Sequence, residues 1–425
     1  MLRAIHNVFW VLLVIAAPAG AQGRLAEAIR RATAENPRLR EAQARTEAAR
    51  RRVSQTAELP DPEIELGLKD VPVREPSLSR DNFTMEMITG RQRLPGRGKR
   101  AAQRAVAQAD VESAAATQAR EAVEIAAETA DSFFTLAETD RSLAILEESR
   151  GRLEDAAASA TELYKVGKAG VSDVLQANLE KTSLDERLSS LRAERRAQVA
   201  RFNALQGLPA TATVPPVGPV EPVSEVPAAG ELVRQAAERS PAVAAAEAEV
   251  RRAEQALELA RLESRPDWMV MGYYGRRERF DDFVGVSAAI NLPWTHRRRL
   301  DERRAEKEAE LAAARTGVET VKNQLQGDVE AAYAELEKNV EQAQLYSKSI
   351  LPQAEINFRA AREAYVVGKI DFQTLARAAN NLDSYRREAA VRASGIGRAL
   401  AALQKASGLP LLPGTPGAGG SHVDK

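Results

Sequence analysis

An internal repeat of about two hundred residues constrains this chain more than any other sequence feature. The second copy repeats the first copy's turn residues at corresponding places. The matching pairs are Asn36-Pro37 with Ser240-Pro241, Leu59-Pro60-Asp61 with Arg265-Pro266-Asp267, Leu94-Pro95 with Leu292-Pro293, and Tyr164-Lys165-Val166-Gly167-Lys168 with Tyr365-Val366-Val367-Gly368-Lys369. Because Pro and Gly mark where helices begin and end, the sequence predicts one supersecondary unit that is used twice.

Residues 1–21 are predicted to be a secretory signal peptide that is removed on export. Arg3 precedes an apolar run from Val8 to Ala17, and Ala19-Gly20-Ala21 is a small-residue cleavage pattern. A transmembrane helix is the alternative, but the run is shorter than the roughly 20 residues that a bilayer requires. The chain has no Cys, which excludes disulfides, thiolate metal sites and lipidation through cysteine.

Composition excludes several classes of function. Lys+Arg and Asp+Glu are both 60, so nothing indicates a nucleic-acid binder. The three histidines are His6, His296 and His422, which cannot assemble a His-based metal site or catalytic triad. We therefore expect neither an enzyme nor a cofactor. Aromatic residues make up only 4 % of the chain, which favours Ala-rich helices packed side by side.

Long helices are predicted in both copies, because Ala, Glu, Arg and Leu dominate stretches that contain almost no Pro or Gly. The predicted ranges are 37–58, 101–163 and 171–206 in the first copy, and 241–264, 297–366 and 372–405 in the second. Pro352 is expected to kink or split its helix. The chain reverses direction at each Tyr-x-Val-Gly-Lys segment.

Four strands are predicted where the apolar period changes from 3.6 to 2. They span residues 62–70, 82–93, 268–276 and 283–292, and polar, charged loops join them into two hairpins. Residues predicted to face lipid are Ile64, Leu66, Leu68, Phe83, Met85, Met87, Val284, Val286 and Ile290. Aromatic residues near the strand ends form either a membrane-interface belt or buried packing: Trp268, Tyr273, Tyr274 and Trp294.

Four strands cannot close into a barrel, and membrane barrels need about eight or more. Two chains would supply eight strands and three would supply twelve. Side chains fill the interior of a barrel of eight strands, so a conducting pore favours three chains. The alternative is a periplasmic protein in which both hairpins lie on a helical layer.

The two copies resemble the TolC-type outer-membrane efflux family. The resemblance rests on the Pro-Asp before each strand pair, the Leu-Pro followed by basic residues, and the Tyr-x-Val-Gly turns, over residues 24 to 410. It implies a mainly α-helical homotrimer with a small membrane β-barrel of twelve strands, continued by a helical barrel into the periplasm. It also implies two partners, a periplasmic adaptor and, through it, an inner-membrane transporter.

The resemblance implies that the two helix reversals are periplasmic tips that contact the adaptor. These residues are Val166, Gly167, Lys168, Val171, Ser172 and Asp173, with Val367, Gly368, Lys369, Asp371 and Phe372. Helix capping accounts equally for the Gly, Ser and Asp residues. Candidates for a pore gate, which the family often builds from acidic residues, are Asp173, Asp371 and Gln373.

Basic residues cluster at the start of each long helix: Arg97, Lys99 and Arg100 in the first copy, and Arg297, Arg298 and Arg299 in the second. Cations oppose the helix dipole there, so a compensating partner is expected. We expect either lipid headgroups at the inner surface of the membrane or salt bridges to neighbours such as Asp301 and Glu302.

The sequence thus predicts an outer-membrane channel subunit that conducts passively in a tripartite efflux system. The predicted divisions are a first repeat at 22–210, an extended linker at 211–229, a second repeat at 230–412 and a disordered tail at 413–425. The alternative is a periplasmic helical-hairpin adaptor of the same systems. The resemblance favours heavy-metal cations as cargo. The chain has no Cys, few His and only five Met, so its composition indicates no metal-ligand pattern, and drugs or polypeptides are alternative cargoes.

Overall fold

The computed structural model describes residues 20–74, 76–218, 227–292 and 297–415. Outside these residues lie almost all of the predicted signal peptide, the middle of the predicted linker, Trp294 and most of the predicted tail. In both copies two helices come first, then two strands, and then the long helices. Their bounds are α1 Ala21–Glu35, α2 Pro37–Ala57, β1 Glu63–Lys69, β2 Met85–Leu94, α3 Lys99–Lys165, α4 Val171–Leu205, α5 Ala229–Arg239, α6 Pro241–Leu262, β3 Asp267–Arg276, β4 Phe283–Asn291, α7 Arg297–Leu345, α8 Leu351–Val366 and α9 Phe372–Ser407.

The two-repeat architecture with four strands and long helices is confirmed. Two short helices, α1 and α5, were missed. A single residue, Asn36 or Ser240, separates the end of each helix from a proline, and both of these residues have φ −64° and ψ 129°. A residue before proline avoids the helical region, and proline is well suited to begin a helix. The same dipeptide therefore ends one helix and begins the next in each copy.

The described residues form two compact units. One contains the chain up to Asn36, Glu124–Glu231 and the chain from Asp328, and the other contains Pro37–Val123 and Leu232–Gly327. The first unit is helical, and the second holds all four strands with α2 and α6. Within the described ranges, no helix combines the length and the apolar character needed to cross a bilayer.

The core of the first unit combines small residues with one group of aromatic rings. Phe133 contacts Phe134 and Phe202 with ring centroids 5.8 and 6.1 Å apart. Phe134 lies against Gly397 of α9, where an added Cβ would approach the ring to 2.4 Å. Glycine therefore lets α9 pack closely against α3 at this level.

Pro352 splits the second long helix, as predicted. A π-helical turn spans Tyr346–Ile350 between α7 and α8, and the Leu351 N–H donates to the Tyr346 carbonyl. Proline lacks an N–H, and its ring would clash with the carbonyl four residues earlier. In the π-helical turn each N–H bonds to the carbonyl five residues earlier instead of four, and this local change lets the helix continue past Pro352.

The segment that follows the first repeat is tied to the helices by a buried carboxylate. Asp140 accepts hydrogen bonds from Arg195 Nε at 2.5 Å and from the Val217 N–H at 2.7 Å. Arg195 also donates to the Val214 carbonyl at 3.0 Å. Residues 212–218 of the predicted linker form no helix or strand, and these bonds hold them against the helices.

The four strands form one antiparallel sheet in the order β1-β2-β3-β4. β2 of the first copy pairs with β3 of the second, so both copies share a single sheet. β1 and β4 are the edges, and each pairs on one side only within the sheet. An exposed edge presents unpaired N–H and C=O groups that can pair with a further strand.

We predict that Gly397→Ala lowers the apparent melting temperature of the detergent-solubilised protein, measured by circular dichroism of its helices. Overpacking against the buried Phe134 ring costs about 1–3 kcal/mol. This cost outweighs the gain in helix propensity of up to about 1 kcal/mol.

Gly151→Ala is the matched control, because Gly151 is exposed within α3 and no atom lies within 4 Å of its added Cβ. That change should raise the melting temperature slightly. Equal stabilisation by both substitutions would contradict close packing at Gly397.

Candidate functional site

One face of the sheet is open and predominantly apolar, with an ion pair between Glu86 and Arg276 near the end of the strands. Directly paired residues of antiparallel strands lie on the same face. One row across this face contains Leu66, Ile88, Tyr274 and Val284. Leu66 is 72 % exposed, and Val286 of the adjacent row is 79 % exposed. Side chains this exposed are not packed on a helical layer, so the alternative of hairpins lying on helices is wrong.

The opposite face is polar. Two of its rows are Glu65-Thr89-Tyr273-Gly285 and Glu63-Arg91-Met271-Ser287. Arg91 forms an ion pair with Glu65. The Tyr273 ring covers Gly285, where an added Cβ would lie 2.3 Å from the ring. The sheet therefore has one face suited to a nonpolar surrounding and one suited to water.

Strand register corrects the predicted lipid-facing set in β2. Met87 pairs with Gly67 and Gly275, so Met87 and Met85 lie on the polar face. Ile88, which was not predicted, lies on the apolar face, and Phe83 precedes β2. Met87 and Ile88 are adjacent apolar residues, so the sequence pattern leaves the face undecided and the pairing with neighbouring strands sets it.

The remaining predicted lipid-facing residues lie on the exposed apolar face: Ile64, Leu66, Leu68, Val284, Val286 and Ile290. Trp268 and Tyr274 share that face, whereas Tyr273 lies on the other. The predicted aromatic belt is thus divided between the two faces, and its fourth member, Trp294, lies outside the described residues.

The two basic clusters differ in their surroundings. Lys99 Nζ lies 2.7 Å from Asp267 Oδ1, and the same oxygen accepts the Gly96 N–H at 2.8 Å. Lys99 is therefore engaged in an internal ion pair, and its prediction as a lipid-headgroup ligand is wrong. Arg97 is exposed, and its backbone carbonyl accepts a hydrogen bond from Arg265 at 2.6 Å. The side chains of residues 297–299 are also exposed.

The two helix reversals have the same backbone turn. Gly167 and Gly368 have φ 71° and 74°, a region that favours glycine. Lys168 N–H bonds to the Leu163 carbonyl at 2.8 Å, and Lys369 N–H bonds to the Ala364 carbonyl at 2.9 Å. This is the Schellman arrangement that ends a helix, so helix capping accounts for the two glycines.

Exposed side chains surround these two glycines. Val166, Lys168, Val367 and Lys369 are all exposed beside the turns. Val171 and Ser172 are also exposed, and Asp173 is half-buried. Capping therefore leaves these apolar and basic side chains available for a partner.

Phe372 is not a surface residue of its tip. It is 1 % exposed and packs edge-to-face on Tyr365, with ring centroids 5.9 Å apart. Ala160, Ala177 and Leu375 complete this cluster. The prediction that Phe372 contacts an adaptor is therefore wrong, because its ring holds the two hairpins of the first unit together.

The gate candidates have different roles. Asp371 caps α9 by accepting the Thr374 N–H at 2.9 Å. Hydrogen bonds from the side chain and the backbone of Thr374 lower the pKa of the Asp371 carboxyl. Burial first, and then the negative charge of Asp173, raise the pKa of the Tyr365 phenol. The Tyr365 hydroxyl has no hydrogen-bond partner within the described residues. Gln373 is exposed. The structure thus gives Asp371 a capping role.

Two features near the tips were missed. Leu175 and Leu179 extend the exposed Val171 into an apolar stripe with a four-residue spacing on α4. Nearby, buried Asp383 accepts bonds from Ser149 and Arg152 beside a cavity of about 260 Å³, and burial raises the pKa of its carboxyl. The spacing was visible in the sequence, but which helix face is covered depends on tertiary packing.

A protein family matches the sequence, and solved structures match the fold. The family model described as "Outer membrane efflux protein" matches residues 28–208 and 232–409. These two stretches correspond to the two structural repeats and cover most of the chain. A comparison with curated proteins gave no match.

Solved structures with a similar fold include three from bacterial outer membranes. VceC from Vibrio cholerae has a TM-score of 0.75 and 17 % identity, covering 91 % of this chain and 96 % of that one. The CmeC outer membrane channel of Campylobacter jejuni has a TM-score of 0.76 and 12 % identity, covering 93 % and 87 %. The MtrE outer membrane channel of Neisseria gonorrhoeae has a TM-score of 0.73 and 17 % identity, covering 94 % of both chains. Since the family model matches both repeats, the chain belongs to the outer membrane efflux protein family of TolC-type channels.

Proposed function

We propose that three copies of this chain form an outer-membrane channel with a twelve-stranded barrel that continues into a periplasmic tunnel of helices. Channels of this family work with a periplasmic adaptor and an inner-membrane transporter in tripartite pumps. The observation that carries the proposal is a sheet with an exposed apolar face, a polar reverse face and two open edges. The family match to an outer membrane efflux protein sets aside the alternative of a periplasmic adaptor.

The open edges give the physical reason for several copies. In hydrocarbon, an unpaired backbone N–H or C=O costs several kcal/mol, so a membrane sheet must close. Four strands from one chain cannot do this, and a barrel of about eight strands is filled by its own side chains. Twelve strands leave room for water, and pairing β4 of one copy with β1 of the next uses every edge.

In this assembly the apolar face contacts lipid and the polar face lines the lumen. Thr89, Arg91 and Ser287 would then contact water inside the barrel. Arg97 and the basic residues 297–299 are exposed beside the strands, where phosphate headgroups offer them partners. Lys99 is excluded from this role by its bond to Asp267. Conduction through such a lumen is passive and needs no cofactor.

The exposed residues of the two turns are proposed to dock the adaptor. Val166 and Val367 are apolar and exposed, and each is followed by the capping glycine and then by Lys168 or Lys369. Both turns present the same Val-Gly-Lys surface, so three chains would present six similar tips. Export through residues 1–21 and the division into repeats at 22–210 and 230–412 belong to the same proposal.

For cargo, we favour heavy-metal cations. Support comes from the Leu-Pro-Asp-Pro segment at 59–62 and the Leu-Pro-Gly-x-Gly-Lys-Arg segment at 94–100, which resemble the branch of the family that serves heavy-metal pumps. Sensitivity of a deletion strain to copper, zinc or detergents would separate metals from drugs.

We predict that protein extracted by detergent from isolated outer membranes has the native mass of three chains and conducts ions in planar bilayers. In lipid, the apolar face and the open edges require a closed sheet, which three copies would form. Mass spectrometry after removal of detergent gives the stoichiometry, and single-channel recording gives the conductance. A monomer or dimer released without detergent contradicts the proposal.

We predict that Val166→Glu combined with Val367→Glu abolishes export in cells without changing trimer mass or conductance. Placing charges in an apolar contact should weaken adaptor binding at least tenfold, equivalent to about 1.4 kcal/mol. Binding to the adaptor can be measured with purified components. Val73→Glu is the control, because it makes the same change at an exposed valine between β1 and β2. Unchanged adaptor binding by the double variant would show that the turns are not the docking surface.

A further inference from the structure

The methionines in the described part of the chain are confined to two strands. The chain has five, of which Met1 lies outside the described residues. The other four occur as two Met-x-Met pairs, Met85 with Met87 in β2 and Met269 with Met271 in β3. Residues two apart on a strand point to the same face, so each pair presents two thioethers side by side.

Strand register places all four methionines on the polar face. Met87 pairs with Gly275, whereas Met271 pairs with Arg91 and Met269 with Arg93. All of these positions share the face of Thr89 and Tyr273.

Methionine does not act here as an ordinary apolar residue. Every Leu, Ile and Val of the four described strands lies on the apolar face: Ile64, Leu66, Leu68, Ile88, Leu94, Val270, Val284, Val286 and Ile290. Every Met of those strands lies on the opposite face. Simple filling of space would not separate the aliphatic residues from the thioethers so completely.

Duplication does not explain the two pairs either. When the copies are aligned on their Pro-Asp segments, the positions of Met269 and Met271 hold Glu63 and Glu65 in the first copy. When they are aligned on their Leu-Pro segments, the positions of Met85 and Met87 hold Phe283 and Gly285 in the second copy. Each pair is therefore specific to its own strand.

Local packing accounts for only one of the four. Met85 is buried, and its sulfur lies 2.6 Å from the place where a Cβ on Gly275 would sit. This thioether fills the gap above a glycine. Met87, Met269 and Met271 are half-buried on the same face. In a barrel this face lines the lumen, so these side chains are accessible to a small ion.

We propose that each Met-x-Met pair is a binding site for a soft monovalent cation, Cu(I) or Ag(I), on its way through the lumen. The proposal rests on the proposed channel function, whose cargo it narrows. Thioethers select soft metals such as Cu(I), whereas harder divalent cations prefer oxygen and imidazole ligands. In the described part of the chain, no group of three or more His, Asp or Glu side chains is placed to hold a metal.

The geometry suits two weak sites in each chain. Residues two apart on one strand have Cα atoms about 7 Å apart, and the flexible methionine side chains can bring both sulfurs to one cation. Met87 lies four residues along β2 from Arg91, the partner of Met271, so the pairs are separated by about 13 Å. Two thioethers bind less firmly than a full ligand set, which lets a cargo ion leave again.

Silver binding to the purified full-length trimer tests this inference. The probe is silver nitrate at micromolar concentration in chloride-free buffer, and equilibrium dialysis with elemental analysis gives the stoichiometry. We expect two silver ions per chain for the wild type and one for Met269→Leu with Met271→Leu. The quadruple Leu variant should bind at least tenfold more weakly. Zinc nitrate should show no difference between the wild type and the quadruple variant.

Val270→Leu is the matched control, because Val270 lies between two of the methionines on the opposite face. It should bind silver like the wild type. Equal silver binding by the wild type and the quadruple variant overturns this inference while a conducting trimer leaves the channel proposal intact. A chain that forms no conducting trimer overturns the channel proposal itself, and with it the lumen on which this site depends.

Discussion

The unsatisfied edges of a four-stranded sheet are the constraint on which the rest of this structure depends. β1 and β4 each pair on one side only, while the face between them exposes Leu66, Val284 and Val286. In water, the unpaired backbone groups of the edges can bond to solvent, but the exposed apolar face is unfavourable. In lipid, the apolar face is favourable, but the unpaired edges are not. Closure of the sheet by further copies of the chain meets both requirements. The shared sheet also explains why the two repeats cannot separate, since β2 and β3 come from different copies.

The helical unit shows how a duplicated sequence acquires two different roles. Both reversals use the same glycine turn, with Gly167 and Gly368 in the left-handed region. Their surroundings differ, because Tyr365 is 2 % exposed within the tip cluster whereas its counterpart Tyr164 is 49 % exposed. The second hairpin therefore supplies the aromatic rings of the tip cluster, and the first leaves Leu175 and Leu179 uncovered. The two copies therefore share their backbone turns but differ in which side chains are buried.

Local signals in the sequence were sufficient for the repeat, the four strands, the helix reversals and the interruption at Pro352. These depend on neighbouring residues, such as the missing N–H of proline or the period-two alternation around Leu66. The predictions are wrong where a residue distant in sequence determines the face, the partner or the burial of a side chain. The predicted face of Met85 and Met87 is wrong because the pairing of β2 with its neighbouring strands determines which face these residues occupy. The predicted contact of Lys99 with lipid headgroups is wrong because its ion-pair partner, Asp267, lies 168 residues away in the sequence. Phe372 follows an exposed turn in sequence but is buried against Tyr365 of its own hairpin and against Ala160 and Ala177 of the first hairpin. The methionine pairs had no meaning until the register placed them together.

Cysteine cross-linking between the sheet edges tests most directly whether three copies close the barrel. The chain has no Cys, so one substitution in β1, scanned from Glu63 to Lys69, can be combined with Val286→Cys in β4 without background. Within one chain these edges are separated by three strand spacings, about 14 Å, too far for a disulfide. We expect oxidised membranes to yield covalent dimers and trimers at alternate positions of the scan, and no larger species. Monomers at every position, or a ladder that continues beyond three chains, would contradict a closed trimeric barrel.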